Sequence, residues 1–379
     1  MKQPIRLAIL GDINTDWGWR TGFDAGDPAP IFGDVMPELK KSDFTFANLE
    51  LPLTESDTPS VKTGPCLKGK ASDLSVLKQA GIDALSLANN HILDYGFRGL
   101  LDTIDAAKTA ELPVFGAGET AAEAAKPLFM DVKDRRIGCM SFGEEEFSIA
   151  YGNNPGANLF DPYCSLEQIT EAKAQCEYLV VLYHGGIEHY EYPSLLLQKK
   201  CRAMVRAGAD LVLCQHSHCI GTQEQYQGAT ILYGQGNAIF GRRQKERWDT
   251  GMLVTVDLTE EAKTVSYRVF EAGQTGISFV FDERNTARLQ KLAEQSACLN
   301  DPIKLKQKWD AFCETQTAEY LPQLLCWGRV GGKLNRVLKG KPMKLLVSRK
   351  KKMITMNLVR CDAHRDVVQT ILENTQKQE

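Results

Sequence analysis

The chain has 379 residues, of which 43% are hydrophobic and 25% charged, and its formal net charge is −3. This composition is ordinary for a folded protein and excludes a disordered chain or a collagen-like fibre. No stretch approaches the roughly 18 uninterrupted apolar residues of a membrane-spanning helix, and the apolar run at residues 7–10 is too short for a signal peptide. We therefore expect a cytoplasmic protein.

The first ~270 residues alternate strand and helix patterns, as in an α/β fold. The predicted strands are 5–10, 43–50, 82–91, 113–118, 135–142, 177–186, 209–218, 229–240, 251–258 and 264–272. The predicted helices are 72–81, 97–110 and 193–208. The last three strands look like a closing antiparallel run. The pattern becomes helical near residue 283, so we predict one domain over residues 1–280 and a helical, basic region over 281–379.

Polar clusters follow five of the predicted strands at the point where each strand ends. The clusters are GDIN (11–14), NLE (48–50), NNH (89–91), YHGG (183–186) and QHSH (215–218). Ligands bind outside the carboxyl ends of strands in open α/β sheets, so these five ends are expected to converge on one site. Carboxylate, amide and imidazole side chains without a thiolate suit Mn, Fe, Zn or Mg.

Seven segments carry a resemblance to a known family. They are GDIN (11–14), FANLELPLT (46–54), LANNHILDYG (87–96), FGAG (115–118), YHGGIEHYEYP (183–193), AGADLVLCQHSH (207–218) and LYGQGNAIF (232–240). In order and content they resemble the CapA branch of the calcineurin-like metallophosphoesterases, which is named for capsule and poly-γ-glutamate synthesis. The motif Asn-Asn-His-x-x-Asp-Tyr-Gly is distinctive of that family and starts here at Asn89.

The resemblance implies a site for two divalent metal ions. The implied ligands are Asp12, Asn14, Glu50, Asn90, His184, His216 and His218. Asp12 and His218 match ligands of the first metal. The ligands of the second metal are matched by Asn90, His184 and His216. Glu50 stands where the superfamily has a bridging Asp, and Asn14 stands where it usually has a His.

The resemblance also assigns chemistry to two residues beside the ligands. His91 matches a general acid or transition-state stabiliser, and Asp94 is placed to hold the His91 ring in one tautomer. The weaker candidates for orienting a ligand or binding substrate are Glu188, Asn237, Lys62, Lys68, Arg242 and Arg243. A solvated surface charge or a turn residue is the alternative for each of these.

The fold implied by the resemblance is a four-layer α/β/β/α sandwich with two central sheets. The implied activity is hydrolysis of a phosphoester, in which a hydroxide bridging two metals attacks phosphorus and His91 acts as general acid. The expected substrate is a phosphorylated or anionic glycan or polymer made for the cell surface. Two alternatives stay open: a non-hydrolytic assembly factor, and amide chemistry on poly-γ-glutamate.

The C-terminal region has an unusual charge distribution. Residues 320–361 contain eleven basic residues and no acidic one, which leaves the rest of the chain at −14. Leu334, Val337 and Leu338 fall on one helical face opposite Lys and Arg, as in a helix that lies on a membrane. Residues 327–352 are therefore a candidate for contact with the inner membrane face. Docking on the acidic main domain is an alternative, and nucleic acid is a less favoured partner because its known motifs are absent.

Overall fold

The computed structural model describes residues 2–62, 64–241, 245, 247–324, 328–339, 341, 348–360 and 364. The chain forms two compact units, the first ending at Leu305 and the second beginning at Lys306. The first unit contains both large sheets. It also contains the helix Asp282–Ser296, which lies beyond the domain boundary predicted at residue 280.

Short strands and helices alternate through the first unit. The strands are β1 Ile5–Ile13, β2 Phe44–Leu49, β3 Ala84–Ser86, β4 Val114–Phe115, β5 Ala117–Gly118, β6 Leu128–Val132, β7 Arg135–Gly143, β8 Gly156–Ala157, β9 Tyr178–His184, β10 Leu211–Gln215, β11 Gln223–Tyr226, β12 Ala229–Leu232, β13 Asn237–Ile239, β14 Thr250–Leu258, β15 Lys263–Ala272 and β16 Ile277–Phe279. The helices are α1 Arg20–Ala25, α2 Ala29–Phe32, α3 Val35–Lys41, α4 Asp73–Ala80, α5 Gly96–Thr109, α6 Ala121–Ala124, α7 Ser165–Lys173, α8 Leu195–Arg206 and α9 Asp282–Ser296, followed by a 3₁₀ turn, Ala297–Asn300.

Two large sheets contain most of the strands. The eight-stranded sheet has the order β16-β15-β14-β1-β2-β3-β4, with β13 beside the end of β1. In it, β1 to β4 are parallel, whereas β14 and β15 are antiparallel. The six-stranded sheet has the order β11-β12-β10-β9-β7-β6, and its four inner strands are parallel.

Three apolar layers separate these sheets from each other and from the helices. Ile5, Leu7 and Ile9 of β1 pack between the sheets, together with inward residues of β9, β10 and β14. Ala8 and Leu10 face the other way, toward helices of the first half of the chain. The outer face of the six-stranded sheet packs on α7 and α8. The predicted four-layer α/β/β/α sandwich is therefore confirmed, and burial on both faces explains the unbroken apolar strands.

The predicted strand 229–240 is wrong as a single element. β12 lies in the six-stranded sheet, whereas β13 lies beside β1 in the other sheet, so the chain crosses between sheets here. Gly236 allows the crossing because its φ is 74° and a Cβ at this position would lie 2.5 Å from the Thr250 carbonyl oxygen. The antiparallel pairing predicted for the next two strands is present in β14 and β15.

The C-terminal region is helical, as predicted. Its helices among the described residues are α10 Pro302–Leu324, α11 Gly328–Val337 and α12 Arg349–Arg360. Among the helices described, none combines the length and apolarity needed to cross a membrane.

Candidate metal centre

Polar side chains from both sheets meet at the carboxyl ends of their parallel strands. They are Asp12 in β1, Glu50 after β2, Asn90 after β3, His184 at the end of β9, and His216 and His218 after β10. All except Asn90 are at most 9% exposed. The structure thus brings six of the seven predicted ligands to one place, three from each sheet.

Glu50 lies at the middle of this cluster. Its Oε1 is 3.6 Å from His184 Nε2 and 3.8 Å from His218 Nε2. The side chain is fully buried, and neither carboxylate oxygen has a hydrogen-bond partner. A buried carboxylate without partners is costly, whereas a cation at this position would satisfy it. The residues present therefore fit a bound metal ion.

The potential ligand atoms form two overlapping groups. Glu50, His184 and His216 make one group, and Asp12, Glu50 and His218 make the other. Within each group the ligand atoms lie within 4.8 Å of one another. Glu50 belongs to both, so the two groups share one carboxylate.

Asn90 adds an amide oxygen to the first group. Its Oδ1 lies 3.1 Å from His184 Nε2, and His216 Nδ1 lies 3.2 Å from the same nitrogen. Two imidazole nitrogens and two oxygens, including one of Glu50, therefore surround one point. Nitrogen and oxygen ligands of this kind suit Mn, Fe or Zn.

Asp12 is oriented by two donors from different sheets. Its Oδ1 accepts a hydrogen bond from Asn48 Nδ2 at 2.8 Å, and its Oδ2 accepts one from the backbone N–H of His216 at 3.0 Å. Asn89 donates to Asn48 Oδ1 and so extends this network. Partners of this kind fix the direction in which a ligand points.

The loop after β10 directs both of its imidazoles to the same site. His216 has a φ of 81° and His218 a φ of 51°, which are left-handed values uncommon for residues with a side chain. In an extended strand these two side chains would face opposite ways. The bent backbone removes that alternation, and such strain is typical of functional loops.

Burial sets the charge state of the cluster. It raises the pKa of Asp12 to about 7, and the nearby Glu50 carboxylate contributes to that increase. Burial also raises the pKa of Glu50 well above its usual range, with Glu188 as the next cause. It lowers the pKa of His184 to about 3 and that of His218 well below its usual range. These two imidazoles are therefore neutral at pH 7, as metal ligands must be.

His91 faces the cluster from the side of the eight-stranded sheet. Its Nε2 lies 4.0 Å from Glu50 Oε1, and its Nδ1 lies 2.6 Å from Asp94 Oδ2. Both side chains are buried. The Nδ1 contact leaves Nε2 on the side of the ring that faces Glu50.

Asn237 and Trp248 hold His218 from behind. Asn237 Oδ1 lies 2.8 Å from His218 Nδ1, and Asn237 Nδ2 donates to the Trp248 carbonyl oxygen at 2.8 Å. The rings of Trp248 and His218 are 4.6 Å apart. With Nδ1 bound by Asn237, the other ring nitrogen of His218 is the one that faces Glu50.

The remaining predicted residues contact partners outside the two ligand groups. Asn14 Oδ1 accepts from the Asp16 backbone N–H at 2.9 Å, so its oxygen takes part in a local turn. Glu188 is half exposed and contacts His189 at 3.7 Å. Lys68 donates to Asp57 and to the Ser56 carbonyl oxygen. Arg242 and Arg243 lie outside the described residues, and the proposed roles of all these residues stay predictions.

Two residues of the site were not identified as contributors by the sequence analysis. Asn48 supports Asp12, and the available signal was a polar residue inside the apolar strand FTFANL. Trp248 forms the wall behind His218 although 30 residues separate them. No local sequence pattern could have indicated the contact between Trp248 and His218, because it depends on the packing of β14 beside β13.

The facing sheets, the outer helices and the cluster at the strand ends define a protein of the metallophosphoesterase-like class. The chain belongs to the bacterial capsule synthesis protein family PGA_cap, whose family model matches residues 6–242. The family resemblance drawn from the motifs is confirmed by this match.

Curated relatives share the same region. The capsule biosynthesis protein CapA of Bacillus anthracis is 32% identical over 260 residues, which are 66% of this chain and 63% of the relative. The PGA biosynthesis protein CapA of Bacillus subtilis is 30% identical over 59% of this chain and 60% of the relative. The chain thus spans about three fifths of the length of these relatives. A crystal structure of a hypothetical protein from Thermus thermophilus covers 71% of this chain and 100% of its own, with a TM-score of 0.46 and 16% identity.

Proposed function

We propose that the protein is a metal-dependent phosphoesterase that acts in the synthesis of capsule or another cell-surface polymer. The observation that carries this proposal is the pair of overlapping ligand groups that share Glu50. Two cations held in this way would lower the pKa of water and offset the charge on phosphoryl oxygens. The substrate that suits such a site is a phosphorylated or anionic glycan or polymer.

The side chains divide the work of hydrolysis among them. The two ligand groups would hold the cations with Asp12, Glu50 and the three imidazoles, and Asn237 keeps His218 oriented. Water loses one proton to solvent and its oxygen bonds to phosphorus, while the bond from phosphorus to the leaving oxygen breaks. His91 Nε2 gives its proton to that oxygen, while Asp94 keeps Nδ1 engaged. Proton transfer of this kind contributes about 10² to 10⁴-fold to a rate.

Metal content and turnover together test the proposal. The purified protein is depleted with a chelator, reloaded with Mn, Zn, Fe or Mg, and assayed with bis-p-nitrophenyl phosphate and with the monoester. We expect up to two metals per chain and metal-dependent release of nitrophenol. His184→Ala and His216→Ala should each lose at least one metal. Absence of bound metal after reloading would refute the two-metal site.

A second candidate is a non-hydrolytic accessory factor of polymer synthesis. It is favoured by one relative, a probable polyglutamine synthesis accessory protein of Mycobacterium tuberculosis, which is 25% identical over 60% of this chain. In that case the centre would bind metal and a polymer without turning over. Three results together would favour this candidate: the protein binds metal, it hydrolyses neither nitrophenyl ester, and it binds poly-γ-glutamate saturably.

We also propose that the C-terminal helices contact an anionic membrane surface. Val330, Leu334 and Val337 of α11 are 83%, 52% and 77% exposed. Lys333 and Arg336 lie on the same helix. An apolar stripe that is exposed beside basic residues suits the interface of an anionic leaflet. Polymers built on lipid carriers would be concentrated at that surface.

A further inference from the structure

Lys62 is a buried cation beside His91. Its side chain is 3% exposed, and its ammonium forms an ion pair with Asp94 Oδ1. The same nitrogen lies 3.2 Å from His91 Nδ1. The sequence offered Lys62 as a cation for an incoming phosphate. Burial and pairing instead direct its ammonium to the far side of the His91 ring from the metal centre.

Asp94 is shared between three donors. Its Oδ2 accepts from the Leu67 backbone N–H at 2.6 Å and faces His91 Nδ1 at 2.6 Å. Its Oδ1 faces Lys62. An ammonium has donors and no acceptor, so Lys62 occupies one carboxylate oxygen and leaves the other to His91. The two oxygens are thereby assigned to different partners.

The segment that carries Lys62 is anchored to the turn that carries His91. The Ser60 backbone N–H donates to the Asp94 carbonyl oxygen at 2.8 Å, and Ser60 Oγ donates to the Leu93 carbonyl oxygen at 2.5 Å. The ring of Phe147 covers the Lys62 ammonium at 5.5 Å. Lys62 is therefore held in place by its own backbone and by a neighbouring loop, independently of His91.

We propose that Lys62 is a positioning residue for the reaction of the metal centre, an inference that rests on the proposed function. It holds Asp94, and through Asp94 it holds the His91 ring with Nε2 toward Glu50. Without the ammonium, Asp94 Oδ1 would be buried and unpaired, which is costly. The carboxylate would then turn toward another donor, and His91 would lose its fixed orientation.

The variant Lys62→Met tests this role because it keeps the length of the side chain and removes the ammonium. We expect it to retain its metals and to lower kcat about 10-fold or more, within the range of a lost general acid, with KM nearly unchanged. In a His91→Ala background, Lys62→Met should cause no further loss. Lys70→Met is the matched control, because Lys70 lies on the same segment in a surface ion pair with Asp24.

Several outcomes would overturn the proposal. If Lys62→Met has the kcat of the unmodified protein, Lys62 has no positioning role. If Lys62→Met causes its full loss of kcat again in the His91→Ala background, Lys62 acts on substrate or metal directly. If Lys62→Met does not fold, the double variant Lys62→Met with Asp94→Asn is used instead, because it removes both buried charges. Its kcat should equal that of Asp94→Asn alone. A double variant that is slower than Asp94→Asn would count against the role.

A readout without turnover separates this inference from the proposed function. A crystal structure of metal-loaded Lys62→Met should show the His91 ring rotated, with Nε2 no longer facing Glu50. If the unmodified protein hydrolyses no phosphoester, the proposed function fails, and this structure still tests the positioning. An unmoved His91 ring would refute the inference whatever the activity.

Discussion

Glu50 is the residue on which the candidate metal centre depends most. It is one methylene longer than the Asp that the superfamily has at this position, yet its Oε1 lies 3.6 Å from His184 Nε2 and 3.8 Å from His218 Nε2, one imidazole of each ligand group. The sequence located Glu50 because it directly follows an apolar strand. It could not show that both oxygens lack hydrogen-bond partners, because that depends on what the opposite sheet supplies.

His91 and Asp94 have separable effects on turnover. His91→Ala should keep its metals and lose about 10² to 10⁴-fold in kcat, because it removes the proposed proton donor and none of the candidate ligands. Asp94→Asn should cause a smaller loss, since an amide oxygen still faces His91 Nδ1. Elemental analysis and steady-state kinetics check both variants. Loss of metal in His91→Ala would mean that His91 is itself a ligand.

Metal binding should release protons from the carboxylates rather than from the imidazoles. Burial raises the pKa of Asp12 to about 7 and lowers that of His184 to about 3 without metal. At pH 6, Asp12 is therefore largely protonated and His184 is neutral, so metal affinity should increase as the pH rises through about 7. Calorimetry at pH 6 in buffers of different ionisation enthalpy counts the protons. Asp12→Asn should release about one proton fewer, and an unchanged count would contradict the assignment.

At the scale of elements, α11 has different surroundings from the stretch between α9 and the start of α10. Leu292 of α9 is buried in the layer between the sheets, and Leu299 and Leu305 are buried against the six-stranded sheet. Removing the chain from residue 283 onward would therefore expose part of the core. The apolar residues of α11 are exposed instead. Tests of the C-terminal region are better made by substitution than by deletion.

Liposome flotation tests the membrane proposal on the full chain. Replacing Lys333, Arg336, Lys339 and Lys341 with Gln removes four charges, each worth roughly 1 kcal/mol at an anionic surface. Binding to anionic liposomes should weaken by close to a thousandfold, about 4 kcal/mol in total. It should also weaken at high salt.

The control for this experiment changes charge elsewhere. Replacing the exposed Lys2, Lys41 and Lys78 with Gln should leave flotation nearly unchanged. Equal loss in both variants would indicate a general charge effect. Absence of binding by the unmodified chain would refute the contact with a membrane.

At the scale of the whole molecule, the metal centre joins the two sheets. Asp12, Glu50 and Asn90 come from one sheet, and the three imidazoles come from the other. Bound cations would bridge elements that otherwise meet largely through apolar packing. Ligand binding to the folded state adds about 2.7 kcal/mol at a free concentration of 100 times Kd.

Thermal unfolding should show this coupling. Metal should raise the Tm of the unmodified protein, and Glu50→Gln should largely abolish the increase because Glu50 belongs to both ligand groups. Without metal, Glu50→Gln should melt at a higher temperature than the unmodified protein, since it removes a buried carboxylate without partners. Glu294→Gln on α9 is the control. A lower Tm for metal-free Glu50→Gln would contradict this account.

The sequence by itself determined the alternation of the main strands and helices, the strand ends that carry candidate ligands and the family. Those features are local, because apolar runs and the polar residues after them are adjacent in the chain. The tertiary structure decided the crossing between β12 and β13, the place of α9 in the first unit and the contact between Lys62 and His91. Each of these depends on contacts between distant residues, which form only when the two sheets pack together.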